Sequence, residues 1–209
     1  MIEIEELPVR RGNVPFRYAR GHFATNHSHI NYYIDISYQK TRLSEARDVA
    51  RQLAPHYQNI SVDTVLCLDG TAVIGTCLAE ELIMQKRGVN SGSKICVLEP
   101  EYNANSQIIF RDNVQPLIRN KHVLILMASV TTGFTANRSI EAIGYYGGTV
   151  AGVSALYSAV SEAAGLPVRS VYDVNDLPGY ESYDYRDCPF CKNGRRLDAL
   201  VNSFGYSAF

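Results

Sequence analysis

Val123-Leu124-Ile125-Leu126-Met127-Ala128-Ser129-Val130-Thr131-Thr132-Gly133-Phe134-Thr135 is the most telling stretch of this chain. The first half is apolar without alternation, the pattern of a strand covered on both faces in a parallel sheet flanked by helices. The second half turns to hydroxyls and a glycine, and Ala136 to Tyr146 follow as a helix. The loop between them therefore sits at the carboxyl edge of a sheet. There, short Thr and Gly side chains let the backbone approach a ligand, while the free N–H groups and dipole of the helix start favour an anion. A phosphate monoester fits, with the Thr131, Thr132 and Thr135 hydroxyls as further donors. A plain strand-to-helix turn capped by threonine fits the same letters, and the pattern alone weighs the two evenly.

On the N-terminal side of this stretch, Thr64 to Leu68 reads as a second strand, Asp69-Gly70-Thr71-Ala72-Val73-Ile74-Gly75 as a loop entering a helix, and the helix as running to about Lys86. Further strands are expected at 94–98, 149–156 and 168–173, with Ile108-Ile109-Phe110 as part of a hairpin. Leu43, Ala46, Ala50 and Leu53 recur at helical spacing, predicting a helix over 42–54 with Thr41 as its N-cap. Residues 1–40 read as irregular and aromatic-rich, with one short strand near 31–37. The tail after Pro178 reads as loop-rich. Helices alternating with strands through the middle argue for right-handed crossovers and a parallel sheet. The length suits a single domain, divided here into an N-terminal segment 1–40, a core 41–175 and an extension 176–209.

Hydrophobic residues make up 46 % and charged residues 20 % of the chain, and the net charge is −1. No overall field recruits nucleic acid or an anionic membrane, so any phosphate recognition is local. No basic leader with an apolar core opens the chain and no window reaches bilayer-spanning length, so a cytoplasmic protein is expected. The five cysteines are an odd number, and Cys67, Cys77 and Cys96 lie in apolar segments, which points to reduced, packed thiols. Cys188-Pro189-Phe190-Cys191 offers two of the four ligands of a structural zinc, but no second pair or nearby histidine completes the set. It reads as a turn, with a zinc shared between chains or a redox pair as alternatives. His27 and His29 alternate on a strand yet lack a third ligand, and His22, His56 and His122 carry no spacing signal. On the sequence, therefore, no metal site is assigned, and no nucleophile elbow is present.

The stretch 123–135 resembles the phosphoribosyl pyrophosphate (PRPP) signature of type I phosphoribosyltransferases: a hydrophobic strand, two acidic residues, a short spacer and Thr-Thr-Gly-x-Thr. Residues 131–135 match its phosphate half in full, and Met127 and Ala128 stand where the acidic pair would be. The resemblance implies a type I phosphoribosyltransferase fold, an α/β architecture with a central mostly parallel sheet and a small N-terminal hood. It implies that Ser129, Val130, Thr131, Thr132, Gly133, Phe134 and Thr135 cradle the 5-phosphate, and that Asp69, Gly70, Thr71 and Gly75 form the pyrophosphate loop. Within the superfamily the orotate branch is the nearest comparison: Tyr32-Tyr33-Ile34-Asp35, after His27-Ser28-His29, resembles its base-recognising hood, although an edge strand with aromatic cover reads equally well. The resemblance further implies a homodimer, PRPP as substrate or ligand, Mg²⁺ as its metal, and transfer of phosphoribosyl to a nucleobase in nucleotide metabolism. Two departures oppose turnover. The acidic pair is missing, and the stretch 99–107, where that branch has a basic flap, contains Glu99 and Glu101 and no basic residue. A non-catalytic PRPP or nucleotide sensor is the alternative, and Glu99 or Glu101 are the residues that would rescue Mg²⁺ binding.

Overall fold

The computed structural model describes residues 2–7 and 13–209. The described chain opens with strands β1 (Glu5–Leu7), β2 (Phe16–Ala24) and β3 (His29–Asp35), which build the hood, followed by helices α1 (Ser37–Thr41) and α2 (Leu43–Leu53). Through the middle run β4 (Thr64–Cys67), α3 (Ala72–Met84), β5 (Cys96–Leu98), the short β6 (Glu101–Tyr102) and β7 (Ile108–Ile109), β8 (His122–Val130), α4 (Phe134–Tyr145) and β9 (Thr149–Ser158). The chain ends with β10 (Glu162–Ala163), β11 (Leu166–Asp173), β12 (Ser182–Tyr183), the single-turn α5 (Pro189–Lys192), β13 (Ala199–Asn202) and β14 (Gly205–Ala208).

The core sheet has the order β10-β11-β9-β8-β4-β5, parallel except for the edge strand β10. Its strands show why 123–128 lacks alternation. Leu124 and Leu126 face a cluster containing Ala46, Val49, Ala50 and Leu53 of α2 and Ile74, Leu78 and Leu82 of α3. Val123, Ile125 and Met127 face the opposite cluster, with Ala136 and Ile143 of α4. Successive side chains point to opposite faces and both faces are covered, so every position must be apolar. Gly75 lets α3 approach β4: a Cβ there would lie 2.1 Å from Cys67 Sγ. After β4 the chain steps outward to β5 and then back across to β8, so the order reverses between β4 and β8. The crevice outside their carboxyl ends is where such sheets bind ligands.

The second sheet runs β12-β3-β2-β13-β14, with β1 on β2. Here the structure departs from the sequence reading. Residues 1–40 contain the nine-residue strand β2, whose period is obscured by Arg17, Arg20 and His22 and by a bulge between Arg20 and Phe23. The tail after Pro178 is largely loop, as expected, but it also carries β13, which pairs parallel with β2, and β14, which continues the sheet. Their partners lie at the far end of the chain, so no local pattern announces them. Thr41 is not a cap: α2 begins after Arg42, and the Thr41 hydroxyl donates to Ser37 O. The hairpin expected around 108–110 is formed by β6 and β7.

Candidate functional site

A cavity of about 280 Å³ opens at the switch point, between the carboxyl ends of the core strands and the hood. All of Ser129, Val130, Thr131, Thr132, Gly133, Phe134 and Thr135 line it, as do Tyr32, Tyr33 and Asp69. Gly133 sits at φ 77°, the left-handed conformation that glycine adopts without the Cβ penalty, and α4 starts at the next residue with no side-chain cap. The first-turn N–H groups of a twelve-residue helix are thus directed at the loop, a ready anion site. The tip of the β2–β3 hairpin, Thr25 to Ser28, hangs over this loop. It is stiffened by the Thr25 hydroxyl, which accepts from His27 N–H (3.1 Å) and Ser28 N–H (2.9 Å). The His27 ring packs on Phe134 with centroids 5.6 Å apart.

The other sequence candidates fall outside the cavity. Gly70 follows Asp69 in a tight turn in which both have positive φ, 75° and 58°. Thr71 is wholly buried, its hydroxyl donating to Leu68 O (2.8 Å) and Leu126 O (3.1 Å), and Gly75 is committed to helix packing. Asp35 lies beside the cavity, where its carboxylate accepts Ser37 N–H at 3.0 Å. The turn therefore delivers one group of the 69–75 loop, the Asp69 carboxyl. Burial pushes its pKa up, opposed by the Ala128 N–H that it accepts and by the Lys40 charge. The Asp69 carboxyl thus meets the backbone at Ala128, beside the apolar Met127 and Ala128 side chains.

Three features of the cavity have no sequence signal. Lys40, on α1, donates to Asp69 O (3.1 Å) and to Ser203 O in the β13–β14 turn, and burial lowers its pKa. Among the described lining residues Asp69 is the only carboxylate and Lys40 the only lysine or arginine. Tyr180 also lines the cavity; its buried hydroxyl has no hydrogen-bond partner among the described residues, and its ring stacks beside Tyr32 at 6.5 Å. Val201, Asn202, Ser203 and Gly205 make the last wall, so the C-terminal hairpin closes the site. The β6–β7 hairpin holds no free acid at Glu101, which is paired with Arg111 through Nε at 2.8 Å.

Away from the cavity the structure corrects the sequence on the cysteine pair. Histidines do complete it: His22 of β2 and His29 of β3 converge with Cys188 and Cys191, all four donor atoms within 4.8 Å of one another. His22 and His29 are seven residues apart on a hairpin and more than 150 positions from the cysteines, which hid the set from any spacing rule.

No family model matches the chain. The fold, with its cavity at the switch point, is that of the type I phosphoribosyltransferases: it superposes on a phosphoribosyltransferase from Corynebacterium diphtheriae with a TM-score of 0.52 and 19 % identity, covering 76 % of this chain and 90 % of that one. A Mycobacterium tuberculosis H37Rv orotate phosphoribosyltransferase, solved in complex with PRPP, superposes with a TM-score of 0.52 at 20 % identity, covering 69 % of this chain and 82 % of that chain. In sequence the particular likeness is to the orotate branch. The chain is 27 % identical to the orotate phosphoribosyltransferase of Desulforamulus reducens over 83 % of its own length and 84 % of that protein's. Among the described residues, no helix is long and apolar enough to cross a membrane.

Proposed function

We propose that this chain binds PRPP with its 5-phosphate in the 129–135 loop and transfers the phosphoribosyl group to a nucleobase held beneath the hood. The observation that carries this reading is the convergence, in one cavity at the sheet's switch point, of the uncapped α4 start, the threonine loop, Asp69, Lys40 and the hood tyrosines. Support also comes from the likeness to orotate phosphoribosyltransferases and from the neighbour solved with PRPP.

In the reaction a base nitrogen forms a bond to ribose C1 as the C1–oxygen bond to pyrophosphate breaks and the base proton departs. The 129–135 loop fixes the ribose by its phosphate, which turns the attack into an oriented, effectively unimolecular step. Lys40 is the cation within the cavity that would face negative charge on the departing pyrophosphate. Asp69 is the carboxyl positioned to meet the ribose hydroxyls, and the Tyr180 hydroxyl is a free donor or acceptor for the base edge. The residues present do not fit a protein-held Mg²⁺: among the described residues a single carboxylate lines the cavity, and Glu101 is committed to Arg111. A homodimer and a cytoplasmic location belong to the same reading.

The apolar Met127 and Ala128, 2 % and 3 % exposed at the end of β8, favour a second reading, a binding protein without turnover. The test is pyrophosphate release from PRPP with orotate and each other nucleobase, with and without Mg²⁺. Base-dependent release, lowered in Asp69→Asn, is the expected result. PRPP binding without release would install the sensor reading, and absence of both would overturn the two together.

A further inference from the structure

We propose that His22, His29, Cys188 and Cys191 form a structural zinc site that clamps the C-terminal extension onto the hood. The donor spacings carry it. His22 Nε2 lies 3.3 Å from Cys188 Sγ and 3.7 Å from Cys191 Sγ, His29 Nδ1 lies 3.4 Å from Cys191 Sγ, and the two ring nitrogens are 3.1 Å apart. A tetrahedral zinc with Zn–S of about 2.3 Å and Zn–N of about 2.0–2.1 Å spaces its donors roughly 3.3 Å (N···N), 3.5 Å (N···S) and 3.8 Å (S···S) apart. Four of the six edges are therefore already close to those of a Cys₂His₂ tetrahedron, and the other two are within 4.8 Å.

The second observation is the tautomer. His22 Nδ1 lies 3.1 Å from Arg195 O and 3.2 Å from Arg196 O, and carbonyls only accept, so Nδ1 carries the proton. Its Nε2 lone pair is thus turned toward both thiols and His29. Holding a ligating imidazole by its other N–H is how metal sites fix ring orientation. Three neighbours converge on that one lone pair, with His22 and Cys188 both wholly buried, and a shared cation satisfies all of them at once. On binding, zinc replaces the two thiol protons, which pass to solvent, and four protein ligands leave no open position for chemistry.

The consequence runs to the cavity. The backbone of His22 is tied to Asp198, with His22 N–H donating to Asp198 Oδ2 (2.7 Å) and Asp198 N–H to His22 O (2.8 Å), immediately before β13. The β13–β14 turn that follows forms the Ser203 wall and holds Lys40. An ion at the cysteine pair therefore anchors one wall of the ligand site without touching the ligand.

The experiment is elemental analysis of the unaltered chain, purified without chelator or affinity metal, followed by replacement with Co²⁺. The expected result is about one zinc per chain and, with Co²⁺, the visible d–d bands of a tetrahedral site with thiolate-to-metal charge transfer. The double variant Cys188→Ser/Cys191→Ser should lose the metal, and His29→Ala should weaken its retention against a chelator at least tenfold. Substoichiometric metal that added Zn²⁺ does not restore, an octahedral Co²⁺ spectrum, or a mass two hydrogens short of the reduced chain, marking a disulfide, would each overturn the proposal. The cobalt spectrum and the mass are read on the unaltered chain, so they decide the matter even where a variant fails to fold.

Discussion

In the core sheet, β8 and β9 match eight residue pairs in parallel register, and the positions between Val123 and Ala128 are all buried. In the hood sheet, β13 meets β2 through two pairs, and the tie between His22 and Asp198 spans 176 positions of chain. The core thus holds itself by two large apolar clusters, whereas the hood brings distant segments together over a smaller one, in which Ala199 and Val201 of β13 meet Ala19, Phe23, Ile30 and Tyr33 while Leu200 is 51 % exposed. Closing so long a loop costs entropy that two strand pairs do not return, which explains why polar devices cluster there: the His–Cys group, Asp198 and Lys40. The ligand cavity lies where the two regimes meet.

Substitutions on either side of this divide should behave differently. Leu124→Ala removes a fully buried side chain from between α2, α3 and the sheet, and should cost about 3–5 kcal/mol in denaturant unfolding, whereas Leu200→Ala should stay within about 0.5 kcal/mol. Equal losses would erase the distinction. Stripping the proposed zinc with a chelator should raise amide exchange in β2, β13 and β14 while β8 and β9 stay protected. Exchange rising in both sheets alike would show that the clamp serves the core as well.

Lys40→Met removes the cation that would face the pyrophosphate, and a loss of about 1.5–3 kcal/mol in PRPP affinity, the worth of one charged hydrogen bond, is expected by titration. Unchanged affinity would remove Lys40 from the site. Asp69 adds a pH signature. Because burial raises its carboxyl above the ordinary 3.8, the folded chain binds that proton more tightly than the unfolded chain. Stability from this group is thus full below the unfolded value and is lost as pH rises through the raised folded one. Asp69→Asn should abolish that part of the decline in pH-dependent unfolding. A smaller effect still is expected of Tyr180→Phe, near neutral for stability because the hydroxyl has no partner among the described residues, yet weakening base or nucleotide binding. A clear loss of stability with unaltered binding would make the hydroxyl structural.

What was legible in the sequence follows the same divide. The core strands could be read because both faces of 123–128 demand apolar residues, and the 129–135 loop because the residues that line the cavity there are contiguous. Asp69 was visible, but the burial of Thr71 and the packing role of Gly75 were not, since Asp, Gly and Thr at a strand-to-helix turn look alike whichever way they point. The hood and tail were hidden because their partners are remote: β2 carries Arg17 and Arg20 on opposite faces, Arg17 pairing with Glu45 at 3.0 Å and Arg20 lying over the Tyr18 ring, and β13 reveals itself only when laid beside it. The His22–His29–Cys188–Cys191 group was missed for that reason.

Everything proposed for the cavity depends on the 129–135 loop receiving the 5-phosphate of a phosphoribosyl ligand. Calorimetric titration of PRPP and nucleoside 5′-monophosphates into the unaltered protein and Thr132→Asp probes that dependence without intermediaries. Saturable binding that the added carboxylate abolishes, while both proteins unfold at the same temperature, is expected. Equal binding by both proteins would place the phosphate elsewhere and refute the assignment.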